Sequence, residues 1–195
     1  MPHVTSPATK LQAFVSEYAV HGDNSGAGKL LGALAEASFL IGLEKNSDVV
    51  EMASYAPLFL NINDRKWEAD AIVFNSSQAF GTPSYWMQHF FIESNGAILL
   101  NSTLQANSSA SLVASAITWQ NLEDNKEYLR VVNFGSNKVN LKISIDGLEL
   151  NPTQSSASRT VLASKSFNDE NSFQEPKKVV PMKSSLDNPA QDMDV

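Results

Sequence analysis

The chain has 195 residues, 43% hydrophobic and 18% charged, enough to bury a core as one domain or two small ones. Its net charge of −7 argues against nucleic acid, which needs clustered Lys and Arg, and no run of about 18 apolar residues offers a membrane span. Without cysteine, disulfides, thiolate nucleophiles and Cys-based metal sites are excluded, and His3, His21 and His89 show no metal-ligand spacing, so no metal or other cofactor is expected.

Residues 1–7 carry no apolar h-region. The start therefore reads as that of a cytosolic protein, or of one whose true N-terminus is missing. Phe14, Val15, Tyr18 and Val20 then favour a buried strand that runs into the loop His21-Gly22-Asp23-Asn24-Ser25-Gly26. Glu17 falls at the C-terminal end of that strand. A carboxylate in an apolar strand needs partners or a task. It is either a solvated strand-end residue pairing with Lys10 or Lys29, or a functional group.

Residues 29–43 follow as a helix, with Leu30, Leu34, Ala37 and Ile41 on one stripe and Leu31, Ala35 and Leu40 widening it. Glu36 is the odd charge in this surface and reads as snorkelling or paired. After the turn at 45–48, Ser47 or Asp48 would cap a short second helix over 49–54, ended near Pro57. Leu58-Phe59-Leu60 reads as a second buried strand, 61–70 as irregular, and Ala71-Ile72-Val73-Phe74 as apolar again. Thr82 and Pro83 mark the N-cap and first position of a helix ending before Asn95-Gly96. Tyr85, Gln88, His89 and Ile92 share one face of it, and Trp86, Phe90 and Glu93 another. Strand alternates with helix, the rhythm of βα units around a parallel sheet or barrel.

Beyond Asn95-Gly96 the runs 97–104, 112–119, 127–134, 139–145 and 158–162 are strand-like and separated by Asn, Ser, Gly and Asp. Their spacing predicts an antiparallel sandwich. The division is thus 1–95 for the βα part, 96–182 for the sandwich, and 183–195 for a polar tail, loosely attached or disordered. Asn75, Asn101 and Asn107 open Asn-x-Ser/Thr triplets and are glycosylation candidates.

Several stretches together resemble plant α-L-arabinofuranosidases of glycoside hydrolase family 51. They are Phe14-Val15-Ser16-Glu17-Tyr18-Ala19-Val20, the helix with Ala35-Glu36-Ala37, Leu43-Glu44-Lys45-Asn46-Ser47-Asp48, Met52-Ala53-Ser54-Tyr55-Ala56-Pro57, Phe74-Asn75-Ser76-Ser77 and Gly81-Thr82-Pro83-Ser84-Tyr85-Trp86. The resemblance runs from about Phe14 to about Pro181. It implies the C-terminal part of a (β/α)8 barrel followed by a jelly-roll-like β-sandwich. Both are incomplete, because a whole barrel takes about 250 residues. It implies an extracellular or cell-wall enzyme that removes terminal α-L-arabinofuranosyl residues from arabinose-containing polysaccharide with retention. In that motif Glu17 is the nucleophile.

A retaining glycosidase needs a second carboxyl group roughly 5–5.5 Å from the first. The family keeps it in an Asn-Glu motif upstream, and this chain has no Asn-Glu dipeptide. Glu36 and Glu44 lie on a helix expected outside the barrel. Asp70, Trp67, Asn75 and Trp86 are the candidates for lining the sugar site, with packing as the alternative for each. The family's last apolar strand would begin where this chain stops. A reading of another class is a non-catalytic β-sandwich that binds carbohydrate or a partner, with Trp119 or Tyr128 as stacking residues.

Overall fold

A computed structural model describes residues 12–22, 28–66, 70–106, 111–120, 125–147, 156–186 and 192–195. The first unit is β1 (Ala13–Tyr18), α1 (Leu30–Lys45) and β2 (Val50–Tyr55), with the two strands paired in parallel. α1 is the helix expected at 29–43. It buries Leu30, Ala33, Ala37, Leu40 and Ile41, three of them on the predicted stripe. Lys45 lies in its last turn, where a cation complements the helix dipole. At the other end, the Leu30 and Leu31 amides donate to the Asp169 and Phe167 carbonyls at 2.9 and 3.0 Å. A distant segment thus satisfies two of the donors that every helix leaves open at its N-terminus.

Two expectations fail in this unit. Residues 49–54 are not a helix, so Ser47 and Asp48 are not its N-cap: from Val50 the stretch is β2. An isolated helix so short does not outweigh its nucleation cost, and pairing with β1 captures the Val49-Val50 run instead. Nor is β1 a buried strand. Phe14 is 59% exposed, and Ser16 and Glu17 are exposed. Among the described residues β1 pairs with β2 alone, so one edge remains open.

A second sheet has the order β3 (Phe59–Asn61), β4 (Ile72–Phe74), β5 (Ala79–Gly81), parallel and then antiparallel. Its buried centres are Leu60 and Val73. Phe59 points out, so the strand expected to be buried is buried on one side only. α2 (Pro83–Gln88) starts as expected, with Pro83 at its first position and Thr82 as N-cap, the Tyr85 amide donating to the Thr82 hydroxyl. At His89 it tightens into a 3₁₀ turn, His89–Ser94, just short of Asn95-Gly96.

The rest is sheet. β6 (Ile98–Leu99), β7 (Leu112–Gln120) and β8 (Asn125–Asn133) form one antiparallel sheet. β9 (Lys142–Ser144) pairs with β12 (Asp192–Asp194), and β10 (Ala157–Val161) with β11 (Met182–Leu186), both antiparallel. The expected strands at 97–104 and 139–145 shrink to two and three residues. The tail from 183 is not loose where it is described. β11 and β12 are strands, and Val195 and Leu141 exchange two backbone hydrogen bonds at 2.8 Å. Ladder bonds use the backbone, so a polar composition does not prevent them.

α1 lies at the centre of the core. Ala33, Ala37, Leu40 and Ile41 pack with Met87 of α2 and Val132 of β8. At the helix end, Glu44 meets Arg130 of β8 at 3.2 Å, both nearly inaccessible to solvent. Ser94 and Ser115 hydroxyls donate to Glu44 at 2.6 and 2.5 Å, and Arg130 Nε donates to the Phe90 carbonyl at 2.8 Å. This network ties α1, the 3₁₀ turn and the β7–β8 sheet together.

Candidate functional site at the end of β1

The register of β1 against β2 is broken where Glu17 sits. Val15 is opposite Ala53 and Tyr18 opposite Tyr55, so three residues of β1 advance against two of β2. The extra residue makes a bulge at Ser16-Glu17, a device that re-aims side chains and ends regular pairing. Glu17 is exposed, and among the described residues it makes no hydrogen bond or ion pair. Lys29 does not pair with it, and Lys10 lies outside the described residues.

Just beyond the bulge the chain is held tightly. The Ala56 amide donates to the Tyr18 carbonyl at 3.2 Å. The Tyr18 and Tyr55 rings meet edge-on at 5.4 Å, and Tyr18 packs on Phe39 of α1 at 5.5 Å. Under them lies Glu36, 3% exposed. Its Oε1 accepts from the Val20 amide at 3.0 Å and from the Tyr55 hydroxyl at 3.3 Å, Ser84 of α2 lies beside the carboxylate, and Oε2 has no hydrogen-bond partner among the described residues. Burial pushes the Glu36 carboxyl above the ordinary range, and these hydrogen bonds and Asp70 adjust it further. Burial, with Glu36 nearby, raises the Tyr18 and Tyr55 phenols as well, so both stay protonated and Tyr55 remains a donor to Glu36. Glu36 is thus the paired residue that its place in an apolar helix suggested. Tyr55 and Ser84 carried no such signal, because they meet it from elements far apart in the chain.

The other candidates scatter. Asp70 is 2% exposed and precedes β4, with Oδ2 unpartnered among the described residues. Burial raises its pKa to about 6, while Arg65 opposes the shift and Glu170 adds to it. Asn75 closes the β4–β5 hairpin, its Oδ1 accepting from the Ser77 and Gln78 amides at 2.8 Å. Trp86 is half-buried on α2 against Tyr85 and His89, its Nε1 unpartnered among the described residues. His89 is exposed, its ring lying against those of Tyr85 and Trp86 at 4.8 and 5.8 Å. Trp67 and Asn107 lie outside the described residues, and Asn101 is exposed in an irregular stretch. Trp119 and Tyr128 are half-buried on β7 and β8. Among the described residues no three His, Asp or Glu side chains converge as metal ligands would.

A second segment packs against β5 and the start of α1. Asn171, 5% exposed, donates through Nδ2 to the Gly81 and Val179 carbonyls at 2.8 and 2.9 Å. Its Oδ1 accepts from the Val179 amide at 2.7 Å. Phe173 meets Phe80 of β5 edge-on at 5.0 Å.

Comparison with known proteins places this geometry in context. Residues 16–194 match the family model described as the alpha-L-arabinofuranosidase C-terminal domain. Alpha-L-arabinofuranosidase 1 of Arabidopsis thaliana is 60% identical over 187 residues, 94% of this chain and 27% of that protein. Alpha-L-arabinofuranosidase 2 of the same plant is 55% identical over 184 residues, again 27% of its length. The chain therefore spans about a quarter of the curated relatives it matches best among these. An arabinose-bound GH51 α-L-arabinofuranosidase superposes with a TM-score of 0.71 at 23% identity, over 89% of this chain and 26% of that one. The GH51 arabinofuranosidase of Xanthomonas axonopodis pv. citri gives 0.73 at 16%, over 94% and 38%. At such identities the structural likeness speaks for the fold alone.

Proposed function

We propose that this chain, which belongs to the alpha-L-arabinofuranosidase C-terminal domain family, carries the nucleophile of a retaining glycoside hydrolase. The enzyme releases terminal α-L-arabinofuranosyl residues from arabinose-containing cell-wall polysaccharide, outside the cell. The observation that supports this best is Glu17, an exposed carboxylate in a bulge at the C-terminal end of a parallel strand that a helix follows. Barrel enzymes build their sites at such strand ends. In this reading residues 1–95 contribute late βα units of a (β/α)8 barrel, and the sheets from 96 onward form a jelly-roll-like sandwich. Asp70, Asn75 and Trp86 support the sugar site, and of the described acceptors Asn75 and Asn101 it is the exposed Asn101 that carries a glycan.

Glu17 attacks the anomeric carbon, the glycosidic bond breaks, and a glycosyl-enzyme ester forms. Water then releases the sugar. A carboxylic acid protonates the leaving oxygen in the first step and activates water in the second. Glu36 and Asp70 are both buried and do not face the bulge's solvent side as exposed acids. In this reading the acid/base is the carboxyl of the Asn-Glu motif that the resemblance implies upstream of Glu17, and this chain spans 27% of the length of alpha-L-arabinofuranosidase 1.

An aryl α-L-arabinofuranoside whose phenolate leaves without protonation tests this directly. With no base to activate water, the ester should accumulate on Glu17 and appear by peptide mass spectrometry as one anhydropentosyl unit. Glu17→Gln should show none. Absence of the adduct in both proteins, with arabinoside binding retained, would leave the non-catalytic carbohydrate-binding module as the correct reading.

A further inference from the structure

The bulge that presents Glu17 needs a fixed end. A bulge in a two-stranded parallel ladder can migrate by one residue, and such a slip turns side chains to the other face. Three contacts lie beyond it: the Ala56 amide on the Tyr18 carbonyl, the Tyr18–Tyr55 ring pair, and the carboxylate of Glu36. The first two join β1 to β2 only. Glu36 reaches further. One oxygen holds the amide of Val20, three residues past Glu17, and the hydroxyl of Tyr55, the β2 residue in register with Tyr18. Since α1 is anchored in the core through Ala37, Leu40 and Ile41, the hydrogen bonds refer the end of β1 to the helix at the centre of the core. Helix propensity gives no reason for a buried Glu here, and core packing alone would favour an apolar residue.

We propose that Glu36 is a positioning residue that locks the register of the Ser16-Glu17 bulge and so sets the direction in which Glu17 presents its carboxylate. The inference rests on the reading of Glu17 as nucleophile, but the lock itself is measurable without catalysis. An acceptor oxygen is what the lock requires, not a negative charge. Gln has that oxygen at the same reach, and Ala has none.

The test uses the whole chain and compares Glu36→Ala, Glu36→Gln and Ile41→Ala. The last weakens the packing of α1 but removes no hydrogen bond of the lock, so it separates loss of the Glu36 acceptor from a general loosening of the helix. Amide hydrogen exchange is read at Glu17, Tyr18, Ala19 and Val20, and adduct formation on Glu17 is timed with the activated arabinoside, both well below every unfolding midpoint. Glu36→Ala should speed exchange at these amides about tenfold relative to Ile41→Ala, the effect of one lost hydrogen bond. It should also slow adduct formation by on the order of 100-fold, the effect of misplacing a reacting group. Glu36→Gln should restore both. If Ile41→Ala matches Glu36→Ala in both measurements, or if Gln behaves like Ala, the positioning role is refuted. If the unaltered chain forms no adduct, the nucleophile reading fails. The exchange data then still decide the lock: selective loss in Glu36→Ala supports it, and uniform change overturns it.

Discussion

Removing Glu44 should strand a buried guanidinium. In the folded chain the side chains of Glu44 and Arg130 are 8% and 7% exposed, and their nearest charged atoms are 3.2 Å apart. Two serine hydroxyls complete the carboxylate, and the guanidinium lies over the rings of Phe91 at 4.9 Å and Tyr128 at 5.8 Å. In Glu44→Ala those rings and the Phe90 carbonyl remain, but the counter-charge does not. Breaking such a pair costs about 3–5 kcal/mol, because the remaining ion has lost its solvation and its partner. At about 2–4 °C per kcal/mol for a chain of this size, the unfolding midpoint should fall by about 6–20 °C. Replacing both groups with apolar ones, Glu44→Leu with Arg130→Met, should recover most of that loss, since both desolvation penalties disappear together. Thermal unfolding followed by circular dichroism on Glu44→Leu, Arg130→Met and the double variant closes the cycle, with Glu44→Ala measured alongside. A loss below about 1 kcal/mol in both single variants would place the pair among surface bridges and refute the buried-ion account. A double variant as unstable as the sum of the singles would refute the coupling.

Stability should also depend on Asp70 with a definite sign. Its carboxyl is raised from 3.8 to about 6 by burial, so the stability that its protonated form contributes is complete below about pH 4 and lost as pH rises through about 6. The loss by pH 7.5 is about 3 kcal/mol, and Asp70→Asn, which mimics the neutral acid, should be the more stable protein there in urea unfolding. A less stable Asn variant at pH 7.5 would contradict this. Asn171→Ala leaves three hydrogen bonds unmade in a buried position and should cost about 2–3 kcal/mol, with faster amide exchange across 171–179. Gly81→Ala would set its Cβ 2.3 Å from a Tyr85 ring carbon, so the ring must move, and a calorimetric loss of about 1–3 kcal/mol is expected.

What was legible in the sequence is what a short window of residues decides. The stripe Leu30, Leu34, Ala37, Ile41 has the period of a helix, and α1 follows it. Thr82-Pro83 has the chemistry of a helix start, and α2 begins there. The runs at 112–119 and 127–134 are long enough to be strands on their own, and they became β7 and β8. The family itself was legible from the quoted motifs.

Tertiary structure alone decided the rest, because it depends on partners far along the chain. The run 49–54 has no strong local preference, and pairing with β1 made it a strand. The polar segments 182–186 and 192–194 look unfit for a core, yet they add to β10 and β9 through backbone bonds that ignore side-chain polarity. Glu36 was an anomaly in a helical pattern. Only folding brings Val20, Tyr55 and Ser84 to it, from 16 and 19 residues away and from a second helix. The bulge at Ser16-Glu17 is likewise a property of two strands and cannot be written in one. The sequence named the carboxylate; its exposure, its bulge and the buried residue that holds its strand end came from the packing of α1 against β1 and β2.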